Sequence, residues 1–372
     1  MAINLKALQK VSLKKTSQTS DKSKPMTKTI CSDSESYKKL MKETFLEEYL
    51  QILEKFTMKT VSLELTTQEA DSIRKNYQIF KETYEKPNFT HDFWKVDSIL
   101  VQLAEKISKK QPELKTENFF IRLSSRSPKD SALSSPKTKE IFIKSLQDLE
   151  NFDNDEKDLT DINRRVHALY ITSVDALKCK DGEDAVRLLV ESFRIQDDLE
   201  EYSKDPKGYP LSIFLRDFLT FPVELELRAF IYKKKFTSMT QYNQFLFFPR
   251  VFRTKDKILE KAKKFVEEEL IPKIPSESYV LDLLMTYKNL NDVTNPFIYD
   301  DKLLDQLDFC VVELNPLAEF AGTGLFTWMN DWDILTGEKP FEFRIVNELP
   351  KNPIQEIDQT WAEHLFIDKN QK

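Results

Sequence analysis

The chain has 372 residues, 32% charged and 40% apolar, with a formal net charge of −6 and only five glycines: Gly182, Gly208, Gly322, Gly324 and Gly337. Glycine usually makes up roughly 7% of a chain, and neither G-x-G-x-x-G nor G-x-x-x-x-G-K-[ST] occurs anywhere, which excludes P-loop and dinucleotide folds. Apolar runs such as Phe245–Phe248 fall far short of the roughly 20 residues of a membrane span, so a soluble protein of two or three lobes is expected.

Residues 1–39 carry nine lysines against three acids and are rich in Ser and Thr, which predicts a solvated, flexible basic tail; the remainder sums to −12. From Tyr37 the spacing of Leu40, Phe45, Leu46, Tyr49, Leu50 and Leu53 is helical, and Thr60–Leu65 alternates as a short strand. Thr66 or Thr67 followed by Glu69 reads as a helix start, and Ser98–Ile107 as a further amphipathic helix. Residues 40–115 are therefore expected to form an N-terminal mixed α/β region.

A second segment, 116–220, opens on the strand-like Asn118–Leu123 and runs through a Ser- and Lys-rich stretch to an acidic patch at 149–161. Helices are predicted at about 161–179 and 182–203, the latter starting at Gly182 with Ala185, Leu188, Leu189, Ser192, Phe193 and Ile195 inward. Leu211–Leu215, bounded by turn residues, reads as a buried strand. Strands dominate the third segment, 221–350: Glu224–Tyr232, Lys233–Asn243, Ser278–Tyr287 and Leu307–Pro316, with a helix near 255–268. In the first of these, alternation puts Glu224, Glu226 and Arg228 on one face. Residues 351–372 form a C-terminal extension.

Cys31, Cys179 and Cys310 are isolated, as are His91, His167 and His364, so neither a disulfide framework nor a Cys/His metal site is expected, and a reducing compartment is the natural setting. Hydrolase chemistry finds no G-x-S-x-G elbow, and the acidic balance outside the tail argues against a nucleic-acid surface. Two apolar strands are each interrupted by one carboxylate, Asp282 and Glu313. Glu313 and Asn315, two apart, share a face and with Asp282 would offer three oxygen donors, the kind magnesium takes alongside substrate phosphates. The alternative is a set of solvent-facing acids on an exposed sheet. Arg122, Arg126, Lys129, Arg216 and Arg228 form the complementary cationic set, and Ser124, Ser125 and Ser127 add donors before Pro128 closes the segment. A surface loop rich in Lys and Ser is the competing reading of Arg126 and Lys129.

Taken in order, FIRLSSRSPKDSA (120–132), FLRDF (214–218), ELR (226–228), MTQYN (239–243), VLDLL (280–284), VELNP (312–316) and LFTW (325–328) resemble the cell division cycle 123 family. Agreement extends more weakly to 53–70 and 341–346, so the resemblance spans about residues 45–346. It implies an α/β (α+β) ATP-grasp fold, in which two lobes, here 116–220 and 221–350, clamp ATP between antiparallel sheets and magnesium bridges its phosphates. By position, Arg122 would reach the phosphates with Ser124, Ser125 and Arg126 behind it, and the backbone of Leu215, Arg216, Asp217 and Phe218 would form the hinge that meets adenine. Glu226, Arg228 and Gln241 match further nucleotide-binding positions; Asp282, Glu313 and Asn315 match the magnesium ligands.

The resemblance further implies a cytoplasmic assembly chaperone for eukaryotic translation initiation factor 2 that binds its gamma subunit and promotes joining of the alpha subunit. The alternative is an ATP-grasp ligase that forms an acyl phosphate. The sequence departs from the family at three places. Arg122-Leu123-Ser124-Ser125-Arg126-Ser127-Pro128 replaces K-L-N-W-S-A-P, Glu313-Leu314-Asn315-Pro316 replaces D-F-N-P, and Thr323-Gly324 replaces Thr-Asp.

Overall fold

The computed structural model describes residues 34–152, 160–290, 293, 295–349 and 365. Most of the expected basic tail, most of the acidic patch at 149–161, and the C-terminal extension apart from Leu365 lie outside the described residues. Chain order is α1 (Ser34–Lys42), α2 (Leu46–Leu50), β1 (Thr60–Glu64), α3 (Thr67–Thr83), α4 (Ser98–Lys110), β2 (Phe119–Leu123), α5 (Thr138–Phe152), α6 (Asp161–Asp175), α7 (Gly182–Glu191), α8 (Phe193–Lys204) and β3 (Ser212–Asp217). It continues with β4 (Glu226–Tyr232), β5 (Lys235–Gln241), α9 (Pro249–Lys263), β6 (Tyr279–Tyr287), β7 (Leu307–Pro316), α10 (Trp332–Leu335) and β8 (Glu342–Arg344).

Local chemistry accounts for most helix starts. Thr66 caps α3 with a full capping box, its side chain accepting from the Glu69 amide while Glu69 accepts from the Thr66 amide. The expected helix at 182–203 is two helices: Ser192 leaves helical geometry and its hydroxyl caps α8 by accepting from the Ile195 amide. At the start of α7, a Cβ on Gly182 would lie 1.9 Å from the Ala104 carbonyl oxygen of α4. Only glycine lets the two helices approach so closely.

The strands form two sheets. The smaller has order β1-β3-β2, antiparallel throughout; the larger has order β7-β6-β4-β5-β8, antiparallel except for the parallel β5-β8 edge. One core contains Val61, Ile121, Ile213 and Leu215 of the small sheet with Ile73 of α3, Leu103 of α4, Leu188 of α7 and Leu199 of α8. A second holds Leu227, Ala229, Leu281 and Leu283 of the large sheet with Phe142 of α5, Leu169 of α6 and Ile258 of α9.

This packing corrects the expected blocks. Residues 40–115 are not a separate region, because β1 pairs with β3 from Thr60↔Arg216 to Glu64↔Ser212 and completes the small sheet. Conversely, α5 and α6 precede β3 in sequence but bury their apolar faces in the core of the large sheet. Glu224 also leaves the strand assigned to it: it sits in a 3-10 turn, Val223–Leu225, and accepts from the Tyr299 amide at 3.1 Å.

Candidate functional site

The larger sheet brings its charged residues into one row. Along β4, Leu227, Ala229 and Ile231 enter the core, so Glu226 and Arg228 project from the opposite face. Register then places Arg228 opposite Asp282 of β6, and Asp282 opposite Glu313 of β7. Arg228 Nε and Nη2 donate to the two Asp282 oxygens, each at 2.7 Å, while Arg228 Nη1 donates to the Gly322 carbonyl at 2.6 Å. Asn315 Nδ2 donates to Asp282 Oδ2 at 3.1 Å.

A β-bulge makes this row possible. Asp282 pairs with Glu313 but Leu283 pairs with Val311, so Val312 is the extra residue. Strict alternation would put Val311 and Glu313 on one face. The bulge instead leaves Val311 fully buried in the core while Glu313 faces the row.

The smaller sheet supplies cations from the other side. Arg122 of β2, 2% exposed, donates through Nη1 to Glu313 Oε2 at 2.9 Å, and through Nη2 to the Ser125 carbonyl at 3.1 Å. Lys129 follows Pro128 in a 3-10 turn; its Nζ lies 3.1 Å from the Tyr242 hydroxyl and 5.0 Å from the centre of that ring. The Arg228 guanidinium approaches the same ring at 4.9 Å. Tyr170 of α6 donates its hydroxyl to Glu226.

The result is a patch of three cations, Arg122, Lys129 and Arg228, interleaved with Glu226, Asp282 and Glu313. Burial alone would raise the Glu313 carboxyl, but Arg122, Lys129, Arg194 and Arg228 together hold it well below the usual carboxylate range. Burial raises Glu226, against the pull of Lys129 and the Tyr170 hydroxyl. For Lys129, burial disfavours the charge, yet Tyr242, Glu313, Glu226 and Asp282 outweigh it and keep the ammonium protonated.

Arg122, Glu226, Arg228, Asp282, Glu313 and Asn315 therefore meet, and the remaining expected residues do not join them. Ser124 is fully buried and bridges to Glu47 and the Ser212 amide, while Ser125 donates to Asp198 of α8. Arg126 turns the same way, to the Tyr37 hydroxyl at 2.6 Å and to Asp197 and Asp198 at 3.6 and 3.4 Å. Gln241 is spent on backbone: its Nε2 donates to the Asn243 and Leu246 carbonyls and its Oε1 accepts from the Val346 amide.

The residues of the expected adenine hinge lie apart from this patch. β3 is the central strand of its sheet, so Leu215 and Arg216 have neighbours on both sides, and the amides of Asp217 and Phe218 donate to the Lys59 and Asn118 carbonyls. Those amides are not free to meet a base. Asp217 Oδ1 accepts from the Lys115 and Thr116 amides instead. Tyr170 and Tyr242 were not singled out by sequence reasoning; Tyr242 lies inside the MTQYN motif, whereas Tyr170 reads only as the edge of an amphipathic helix.

Magnesium requires oxygen donors and tolerates one or two carboxylates. Asp282 and Glu313 provide two directly opposed carboxylates, and among the described residues no hydrogen bond occupies Glu313 Oε1, so the donor chemistry fits. Both Asp282 oxygens already accept from Arg228, and a carboxylate with about four lone-pair sites can share them. Among the described residues, no group of three or more His, Cys, Asp or Glu side chains is placed to hold a metal ion, so such a site would rest on the two carboxylates and Asn315 with the ligand's own oxygens.

Known proteins share this architecture. Cdc123 from Schizosaccharomyces pombe superposes with a TM-score of 0.54 at 16% identity, covering 84% of this chain and 98% of that one. The fold is therefore the mixed α/β, ATP-grasp-like one of Cdc123. The translation initiation factor eIF2 assembly protein of Vanderwaltozyma polyspora is 22% identical over 197 residues, 49% of this chain and 48% of that protein. Cell division cycle protein 123 of Candida glabrata is 22% identical over 231 residues, 54% of this chain and 60% of its own length. The chain thus spans about half the length of the curated relatives it matches. The D123 family matches from residue 166 to residue 365, more than half of the sequence and the whole of the large sheet, and to that family the chain belongs.

Proposed function

We propose that this chain binds ATP with magnesium at the Arg228–Asp282–Glu313 row and acts in the cytoplasm as an assembly factor for eukaryotic translation initiation factor 2, gripping its gamma subunit. The observation that carries the nucleotide half is the row itself. Three cations and three carboxylates converge on one face of the large sheet, where β2 and the Lys129 turn approach it and folding should otherwise avoid desolvated charge. Such a patch can exchange its internal ion pairs for the phosphates and cation of a ligand.

In this reading Arg122, Lys129 and Arg228 take phosphate oxygens, for which arginine's planar donor fork is suited. Asp282, Glu313 and Asn315 hold magnesium, which when bound neutralises phosphate charge. Glu226, kept in place by Tyr170, balances Lys129. The partner half rests on the names of the relatives, three called translation initiation factor eIF2 assembly protein and one cell division cycle protein 123.

Calorimetry with ATP and magnesium tests the first half. Wild type should release binding heat that Asp282→Ala loses, and equal heats would remove the metal assignment. A pull-down from cytoplasmic extract tests the second: the initiation factor's gamma subunit should be enriched, and its absence with and without ATP would sink the assembly role.

A further inference from the structure

Arg216 lies near the C-terminal end of β3, is 1% exposed, and among the described residues forms no ion pair with a carboxylate. Burying a lone guanidinium is costly, so the structure must use its donors well. It spends them across the boundary between the two sheets. Nη1 donates to the Val312 carbonyl of β7 at 2.6 Å, Nη2 to the Thr57 hydroxyl at 2.6 Å, and Nε faces the Thr60 hydroxyl at 3.3 Å.

Val312 is the bulged residue of β7, the one that register skips between Glu313 and Val311. Moreover, β7 is an edge strand, and edges are where register slips most easily. Its free side is covered atom by atom. The Val311 amide donates to the Phe56 carbonyl at 2.7 Å, the Thr57 hydroxyl to the Val311 carbonyl at 2.7 Å, and the Leu314 amide to the Tyr49 hydroxyl at 3.3 Å. The bulge carbonyl itself is met by Arg216.

We propose that Arg216 is a positioning residue: its grip on the Val312 carbonyl fixes the β7 bulge that sets Glu313 opposite Asp282. Because Arg122 shares its face of the small sheet, two arginines from that sheet hold successive residues of β7, one by backbone and one by carboxylate. The carboxylate pair is then correctly spaced only while the two sheets are engaged. The expected consequence for ligand binding rests on the magnesium–ATP reading above; the structural consequence does not.

The test measures ATP affinity with and without magnesium for wild type, Arg216→Met, Arg216→Lys and Thr57→Val, together with amide hydrogen exchange. Arg216→Met should lose about tenfold of the enhancement that magnesium gives, as expected for a group that orients a ligand-bearing one. Affinity without magnesium should change little. Arg216→Lys, which keeps the charge but not the fork, should behave like Arg216→Met. Thr57→Val, a milder change that frees one end of the fork, should lose less in the same direction.

An unchanged enhancement in Arg216→Met, its recovery in Arg216→Lys, or an equal fall with and without magnesium overturns the proposal. If wild-type ATP affinity does not respond to magnesium, the nucleotide reading fails and exchange decides on Arg216 alone. Loss of protection confined to residues 311–315 in Arg216→Met sustains the positioning role. Unchanged protection, or loss spread over both sheets, overturns it.

Discussion

At the scale of single residues, the balance of charge in the patch depends on Lys129. With Arg122 and Arg228 it offsets Glu226, Asp282 and Glu313, and it is the member that raises least resistance to substitution because its own partner is a tyrosine hydroxyl. Lys129→Met would leave three carboxylates facing two guanidiniums. Unfolding in urea at pH 7 should show a loss of about 2 kcal/mol, below the figure for a fully buried ion pair whose partner is deleted. The loss should shrink at pH 5. Burial already raises the Glu226 carboxyl in the wild type, and removal of Lys129 would raise it further, so a proton can replace the missing charge. A loss of the same size at both pH values would show that Lys129 acts through packing rather than through charge. The carboxylates themselves were readable from sequence, since Asp282 and Glu313 each interrupt an apolar run. The role of Lys129 was only half readable: it stood among five cations, and nothing in the spacing said that Arg126 would turn to Asp198 and Arg216 to a backbone carbonyl.

At the scale of elements, strands were legible where side chains alternate and illegible where the backbone departs from alternation. β4, β6 and β7 follow their apolar patterns closely, but the Val312 bulge leaves no mark in Val311-Val312-Glu313-Leu314, which reads equally well without it. Ser192 shows the same limit: a hydroxyl inside an apolar helical pattern proved to be a cap. The turn after β7 was better signalled by its two glycines. Gly322 presents the carbonyl that Arg228 grips, and Gly324 adopts φ +63°, a conformation that L side chains rarely adopt, with the site of a Cβ only 2.4 Å from Thr240 Cγ2 of β5. An aspartate at this position would therefore have no room beside Thr240. Gly324→Ala should cost about 1–3 kcal/mol in urea unfolding through backbone strain and this clash. Adding Thr240→Ser, which removes the offending methyl, should return part of the loss but not the strain. Full recovery would mean that the backbone conformation costs nothing.

At the scale of the whole molecule, sequence blocks misled because pairing partners are far apart. β1, β2 and β3 come from positions near 60, 120 and 215, and α5 and α6 cross to the other core, so a cut between β3 and β4 parts the two sheets but not the two cores. Their joint stability can be read through His167, which lies on α6 between Glu224 and the Phe248–Arg250 turn that opens α9. Burial, reinforced by Arg250, lowers its pKa from 6.5 to about 3, and Nε2 has no hydrogen-bond partner. At neutral pH the ring is therefore uncharged, and its 3.7 Å approach to Glu224 is not an ion pair. Below pH 6.5 the unfolded chain binds a proton at this site that the folded chain refuses. Stability must then fall as pH falls, by up to about 1.4 kcal/mol per unit, until the folded ring itself titrates near pH 3. Glu226 works against this slope, because its raised pKa makes the folded state hold a proton that the unfolded state has released above the usual carboxylate range. The difference between wild type and His167→Gln isolates the histidine, since Glu226 is common to both. That difference should be flat above pH 7 and turn increasingly against wild type between pH 6.5 and about 4. Parallel curves across this range would mean that the ring charges freely in the fold, and that Glu224 holds the imidazolium as a true ion pair.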